Sequence, residues 1–166
     1  MNGSRVIVVM GVSASGKSTV AELLAQRLDV ESAEGDDLHP HSNVAKMTAG
    51  HPLTDVDRWP WLRRVGDWIV EHRDTGGVIT CSALKRSYRD LLREYSERVW
   101  FLHLAGAKSV LAARIAARKG HFMPPGLLDS QYADLEQLGA DEAGVTLDVE
   151  HTPEQLRRLA LAALDE

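Results

Sequence analysis

The sequence predicts an α/β protein in three layers, a parallel sheet with helices on both faces. Two observations carry that expectation. Short apolar runs alternate with longer amphipathic stretches along the chain, the pattern of successive βαβ units. The first such run, RVIVVM at residues 5–10, is rich in β-branched residues and closed by Gly11, as a strand buried on both faces requires.

The elements follow in order. After the strand at 5–10, Val20, Leu23, Leu24 and Leu28 recur at helical spacing, which places a helix over 17–28. A poor strand is expected near 28–33. Residues 39–61 hold Pro40, Pro52 and Pro60 and read as an irregular insertion, followed by a helix over 60–73. GGVITC at 76–81 and VWFLHL at 99–104 read as further buried strands, and VTLDV at 145–149 as a weaker one. Helices are expected over 86–95, 107–118, 127–138 and 153–164, with the loop KGHFMPPG at 119–126 between the second and third. The last helix opens on Thr152, Pro153 and Gln155, a capping box with proline at the first helical position. Long irregular insertions on such a scaffold tend to carry function.

Composition narrows the classes. The chain has 166 residues, 44% apolar and 26% charged, enough for one domain with a real core and no linker or repeat. Its formal charge of −5 argues against nucleic-acid binding, which needs a basic excess to displace counterions. A single cysteine, Cys81, precludes an internal disulfide, fits a reducing compartment, and is expected to be an inert buried strand residue. The apolar run at 6–10 is too short for a signal peptide or membrane span, so a soluble cytoplasmic protein is expected.

GVSASGKS at 11–18 fits G-x-x-x-x-G-K-[ST] between a strand and a helix, the context this motif demands. Glycines let the backbone turn its N–H groups onto phosphate oxygens, and the helix adds its positive N-terminal end. Lys17 is expected to reach the β- and γ-phosphates and the Ser18 hydroxyl to ligate Mg²⁺. Gly11, Val12, Ser13, Ala14, Ser15, Gly16, Lys17, Ser18 and Thr19 are therefore read as the ATP site. DTGG at 74–77 formally matches a piece of GTPase switches, but it precedes a strand as a turn would, and no [NT]-K-x-D segment appears. The strand ending near Cys81 carries no acid after its apolar run, so another residue must help to hold the magnesium.

EGDDLHPHSN at 34–43 can supply that acid through Glu34, Asp36 or Asp37. It should leave the sheet at the carboxyl end, where open α/β sheets bind ligands. Carboxylates there can hold Mg²⁺ through water or accept the proton of an attacking hydroxyl. A transition-metal site on His39 and His41 is crowded by Pro40 and lacks a further His/Cys cluster.

GVSASGKS, GDDLHPHSNVAKMTAGHPLTDVDRWPWL (35–62), CSALKRSYRDLLR (81–93), ARKGHFMP (117–124) and LLDSQYADLE (127–136) together resemble gluconate kinase, a small P-loop phosphotransferase family related in architecture to shikimate kinase and the nucleoside monophosphate kinases. The resemblance spans most of 6–141. It differs at Glu34-Gly35-Asp36, where Asp-x-Asp is usual, and at Val56, where an acid is common. It implies one kinase domain over 1–166, with a substrate-binding insertion at about 36–62 and a lid at about 117–127. It implies ATP-dependent phosphorylation of D-gluconate to 6-phosphogluconate, with Asp36 beside the reacting hydroxyl and His39, Arg58 and Lys85 in the gluconate pocket. Glu34 would then face the magnesium shell through water. Arg58 suits a carboxylate because its planar fork binds two oxygens.

Arg114 and Arg118 lie four apart on one helix face and are read as lid cations turned toward ATP. Trp59 and Trp61 are expected to pack the insertion. Arg86, Arg89 and Arg93 are expected to be solvated surface charges. The rival activities are another small-molecule kinase of this architecture, acting on shikimate or a related polyol acid, and a nucleotide-binding regulator without turnover. A homodimer is left open.

Overall fold

The computed structural model describes residues 4–117 and 125–165. Among these, five strands form one parallel sheet: β1 (Val6–Met10), β2 (Glu31–Glu34), β3 (Gly77–Thr80), β4 (Val99–Ala105) and β5 (Gly144–Asp148), in the order β2-β3-β1-β4-β5. Val6 stands opposite Gly77 of β3 and Val99 of β4, so β1 is hydrogen-bonded on both edges. Every β1 residue is buried, which explains its unbroken apolar run.

Alternation of side chains divides the core into two layers. Ile7 and Val9 face one side, with Val20 and Leu24 of α1 (Lys17–Leu28) and Leu156 and Ala160 of α7 (Pro153–Leu164). Val6, Val8 and Met10 face the other, with Trp61, Leu62, Val65 and Ile69 of α3 (Asp55–His72) and Tyr88 and Leu92 of α4 (Arg86–Tyr95). The expected three layers are thus present. No described helix is long and apolar enough to cross a membrane. The chain visits β2 and β3 on one side of β1, then β4 and β5 on the other; such a reversal opens the ligand crevice at the carboxyl ends of the strands.

The stretch expected to be irregular is more ordered than its prolines suggested. A 3₁₀ turn (Gly35–Leu38) precedes it, and it contains helix α2 (His41–Thr48) and the start of α3. Helix α3 begins at Asp55 rather than near residue 60. The Thr54 hydroxyl accepts from the Asp57 N–H while the Asp57 carboxylate accepts from the Thr54 N–H, a closed capping box. Pro60 inside the helix forfeits one backbone bond, and the burial of Trp61, Leu62, Val65 and Ile69 holds the helix through it. The capping box at Thr152 and Gln155 is formed as expected. Helix α5 (Lys108–Ala117) is described to its last residue before Arg118, and α6 (Pro125–Asp134) follows. Residues 118–124, hence Arg118 and most of the expected lid, lie outside the described residues.

Arg89 corrects the expectation of a solvated arginine face. Its side chain and that of Glu142 are both fully buried. The Arg89 Nε donates to Glu142 Oε1 at 2.8 Å and Nη2 to Oε2 at 3.2 Å, while Nη1 donates to the carbonyls of Ala83 and Leu84. Arg93 adds a bond to Glu142 at 2.8 Å. Burial alone would push the Glu142 carboxyl up; the bonds from Arg89, the Gly139 N–H and Arg93 instead hold it at about 2, against an ordinary 4.5.

Removing one partner of such a pair strands a buried charge, so Arg89→Ala should lower the unfolding free energy by about 3 kcal/mol in urea melts. Because the folded pKa of Glu142 is depressed, its stabilisation is complete above pH 4.5 and is lost as pH falls toward 2. The urea midpoints of the parent and Glu142→Gln should therefore converge across that window. A gap that stays constant with pH would contradict the assignment.

Candidate active site

The loop at 11–18 leaves β1 and enters α1. Gly11 (φ 144°) and Gly16 (φ 91°) adopt backbone that L-residues avoid, and a Cβ at Gly11 would press on the Leu104 carbonyl at 2.7 Å. Ala14 also has positive φ, 67°. The Lys17 ammonium donates to the carbonyls of Gly11 at 3.1 Å and Val12 at 3.0 Å, folding back over the loop. Ser15 is buried, and Ser18 and Thr19 stand exposed in the first turn of α1. Arg114 reaches the same loop, donating to the Ala14 carbonyl at 3.4 Å and to that of Val149 at 2.7 Å. These bonds fasten Arg114 to backbone oxygens.

Beside the loop opens a cavity of about 100 Å³ lined by Ser13, Lys17, Asp36, His39, Arg58 and Gln131, among others. One water needs only about 10–15 Å³, so this space suits a small polar solute. Asp36 enters it from the 3₁₀ turn after β2 with a side chain 78% exposed. The turn is held close against β3: a Cβ at Gly35 would collide with the Thr80 carbonyl, and the Gly35 N–H donates to Thr80 Oγ1 at 3.2 Å. Trp61 Nε1 donates to the Gly35 carbonyl at 2.8 Å. Its ring stacks on His39 with centroids 4.1 Å apart. Trp61 therefore packs the insertion, as expected, and also holds His39 of the cavity and the turn that carries Asp36. Trp59 stands edge-on to Tyr88.

The protonation of His39 follows from its neighbour. Asn43 Nδ2 donates to the Asp57 carbonyl at 2.8 Å and lies 3.1 Å from His39 Nδ1. An amide nitrogen only donates, so Nδ1 must accept and Nε2 carries the hydrogen. That Nε2 is 3.8 Å from Asp36 Oδ1. Burial lowers the His39 pKa, with the Asp36 charge opposing and the Arg58 charge assisting. The ring is thus a neutral N–H donor at neutral pH.

Arg58 is buried and lines the cavity. Its Nη1 donates to the Tyr88 hydroxyl at 2.9 Å and to Asp134 Oδ2 at 2.8 Å. Burial works against its charge, and the bonds to Asp134 and Tyr88 more than offset this and raise its pKa. The Tyr88 hydroxyl in turn donates to Asp55. Lys85 is not brought into the cavity lining: its ammonium donates to Asp55 at 2.9 Å and lies 5.8 Å from the Tyr88 ring centre. Lys85 therefore sits at the far end of a chain that runs through Asp55 and Tyr88 to Arg58.

Glu34 ends β2 and accepts a bond from Thr80 Oγ1 at 2.8 Å through Oε2. Ser18 in the first turn of α1 and Glu34 at the end of β2 are hard oxygen donors, the chemistry that Mg²⁺ prefers when it brings water and phosphate ligands of its own. They fit that ion. Cys81 is buried just past β3, and burial pushes its thiol up to about 12, so no thiolate nucleophile is present there.

Several residues in or around the cavity were not singled out from the sequence. Gln131 on α6 joins the phosphate loop: the Ser13 N–H donates to its Oε1 at 2.7 Å, and its Nε2 donates to Ser13 Oγ at 3.0 Å. Tyr88 and Asp134 act through Arg58, 30 and 76 residues away, and Asn43 through His39 and the Asp57 carbonyl.

Residues 3–117 match the adenylylsulphate kinase family model. The chain is 50% identical over 152 residues to the gluconokinase of Gluconobacter oxydans (strain 621H), covering 90% of this chain and 85% of that protein. The crystal structure of a gluconokinase from Sinorhizobium meliloti 1021 superposes with a TM-score of 0.91 at 46% identity, over 99% of this chain and 94% of that one. Shikimate kinase from Aquifex aeolicus superposes with a TM-score of 0.66 at 16% identity, over 96% of this chain and 95% of that one. That likeness is one of fold.

Proposed function

This chain belongs to the gluconokinase family, and from that premise we propose how its cavity phosphorylates gluconate. The enzyme transfers the γ-phosphoryl group of ATP to D-gluconate and releases ADP and 6-phosphogluconate. The observation that carries the residue assignments is the convergence of Lys17, Asp36, His39 and Arg58 on one cavity beside the phosphate loop.

Gluconate is a carboxylate bearing five hydroxyls, so its pocket needs a cation and several hydrogen-bonding groups. Arg58 faces the carboxylate, with Nη1 already committed to Tyr88 and Asp134 and its remaining N–H groups available to the acid. Lys85 acts at one remove, by holding Asp55 and through it Tyr88. His39 offers Nε2–H to a hydroxyl. Asp36 takes the proton of the attacking 6-hydroxyl as the new P–O bond forms and the bond to the ADP oxygen breaks. Lys17 leaves the loop carbonyls for the β- and γ-phosphates. Bound magnesium supplies charge neutralisation across those phosphates; Ser18 would hold it directly and Glu34 through water. Arg114 steadies the loop through the Ala14 carbonyl, and Arg118 is proposed as the cation over the transferring group. ATP as donor and the free thiol of Cys81 support a cytoplasmic location.

An ADP-release assay with a panel of acceptors tests the reading. D-Gluconate should support rapid release, with negligible rates for shikimate and nucleoside monophosphates. Comparable turnover of shikimate would overturn the acceptor assignment.

A further inference from the structure

Two residues on one face of α6 reach the two halves of the cavity. Gln131 makes paired hydrogen bonds to the backbone and side chain of Ser13, the third residue of the phosphate loop. Asp134, three residues on, forms the 2.8 Å ion pair with Arg58. Residues three apart share a helix face, so a single rigid helix is fastened to the ATP side by one and to the acceptor side by the other. The amide orientation of Gln131 is fixed by this pairing, because only Oε1 can accept the Ser13 N–H. Leu128 of the same helix is buried in the core layer with Leu111 and Leu104, so α6 cannot shift one contact without loading the other. Gln131 also lines the cavity itself.

We propose that Gln131 is a positioning residue that couples the two substrate sites, its amide holding α6 to the phosphate loop so that Arg58 is registered against the γ-phosphoryl group. The inference rests on the reading of the cavity as the gluconate site. Phosphate entering the loop orders Ser13, Ser13 orders α6 through Gln131, and α6 fixes Arg58 through Asp134. Each ligand then binds better when the other is present, and by linkage the factor is the same in both directions.

The test measures, by titration calorimetry, the dissociation constant of a non-hydrolysable ATP analogue with magnesium, with and without saturating D-gluconate. In the parent protein gluconate should tighten the analogue by at least about 5-fold, the lower end of typical coupling. Gln131→Met keeps volume and removes both hydrogen bonds, and Gln131→Ala removes the side chain. Both should bring the coupling to within about two-fold of none, whatever each does to the affinity of either ligand alone, because the coupling is the ratio of the affinities with and without the second ligand. Thermal melts establish that the variants fold; a role confined to stability would lower the melting temperature and leave the coupling intact. Coupling retained in Gln131→Met overturns the proposal, as does parent protein that binds gluconate without coupling. Parent protein that does not bind gluconate at all overturns the reading of the cavity, and the coupling with it.

Discussion

Asp36→Asn is expected to lower turnover by roughly 10²–10⁴-fold, the usual contribution of a positioned general base. A sugar hydroxyl is a poor nucleophile at neutral pH, and phosphoryl transfer asks the protein mainly for alignment and charge stabilisation. Asparagine keeps the shape and one accepting oxygen but has no site for the proton. The Asp36 side chain is 78% exposed and its turn is held by Gly35, Thr80 and Trp61, so folding should be unaffected. Affinity for ATP should change little, because the phosphate loop is built from other residues. Asp37 is absent from the cavity lining, and Asp37→Asn should cost much less. If Asp37→Asn proved the more damaging, the base would be misplaced by one residue.

Lys17→Ala should cost at least as much in turnover, on the order of 10²–10³-fold or more, by removing a preorganised cation from the transferring phosphate. The ammonium rests on the Gly11 and Val12 carbonyls at the loop surface, outside both core layers. The melting temperature should therefore stay close to that of the parent. Turnover measured with saturating gluconate and ATP checks the first part, and near-normal turnover would mean that the nucleotide binds elsewhere.

How much of this was legible in the sequence depended on whether the signal was local. The strand at 5–10, the phosphate loop and the capping box at Thr152 are set by neighbouring residues, and the structure has them where local rules put them. The start of α3 was missed because the helix was begun at Pro60, whereas the capping box of Thr54 and Asp57 begins it at Asp55. Arg89 looked like surface because arginines at helical spacing usually are, and its partner Glu142 lies 53 residues away. Gln131 and Asp134 belong to a family-like block, yet nothing nearby in sequence tells of Ser13 or Arg58. The family resemblance put Lys85 in the pocket; in the structure Asp55 holds it with a 2.9 Å bond. Residues whose roles depend on distant partners are readable only once the sheet order has brought those partners together.

The central claim is transfer to the 6-hydroxyl of gluconate, and phosphorus NMR of the product tests it most directly. That hydroxyl is the acid's primary one, so a phosphate placed there is bonded through oxygen to a CH₂ group. The account predicts a phosphomonoester signal split into a triplet by two equivalent or near-equivalent protons, formed in step with ADP. A doublet, marking a secondary hydroxyl, or inorganic phosphate as the sole new signal, would contradict it.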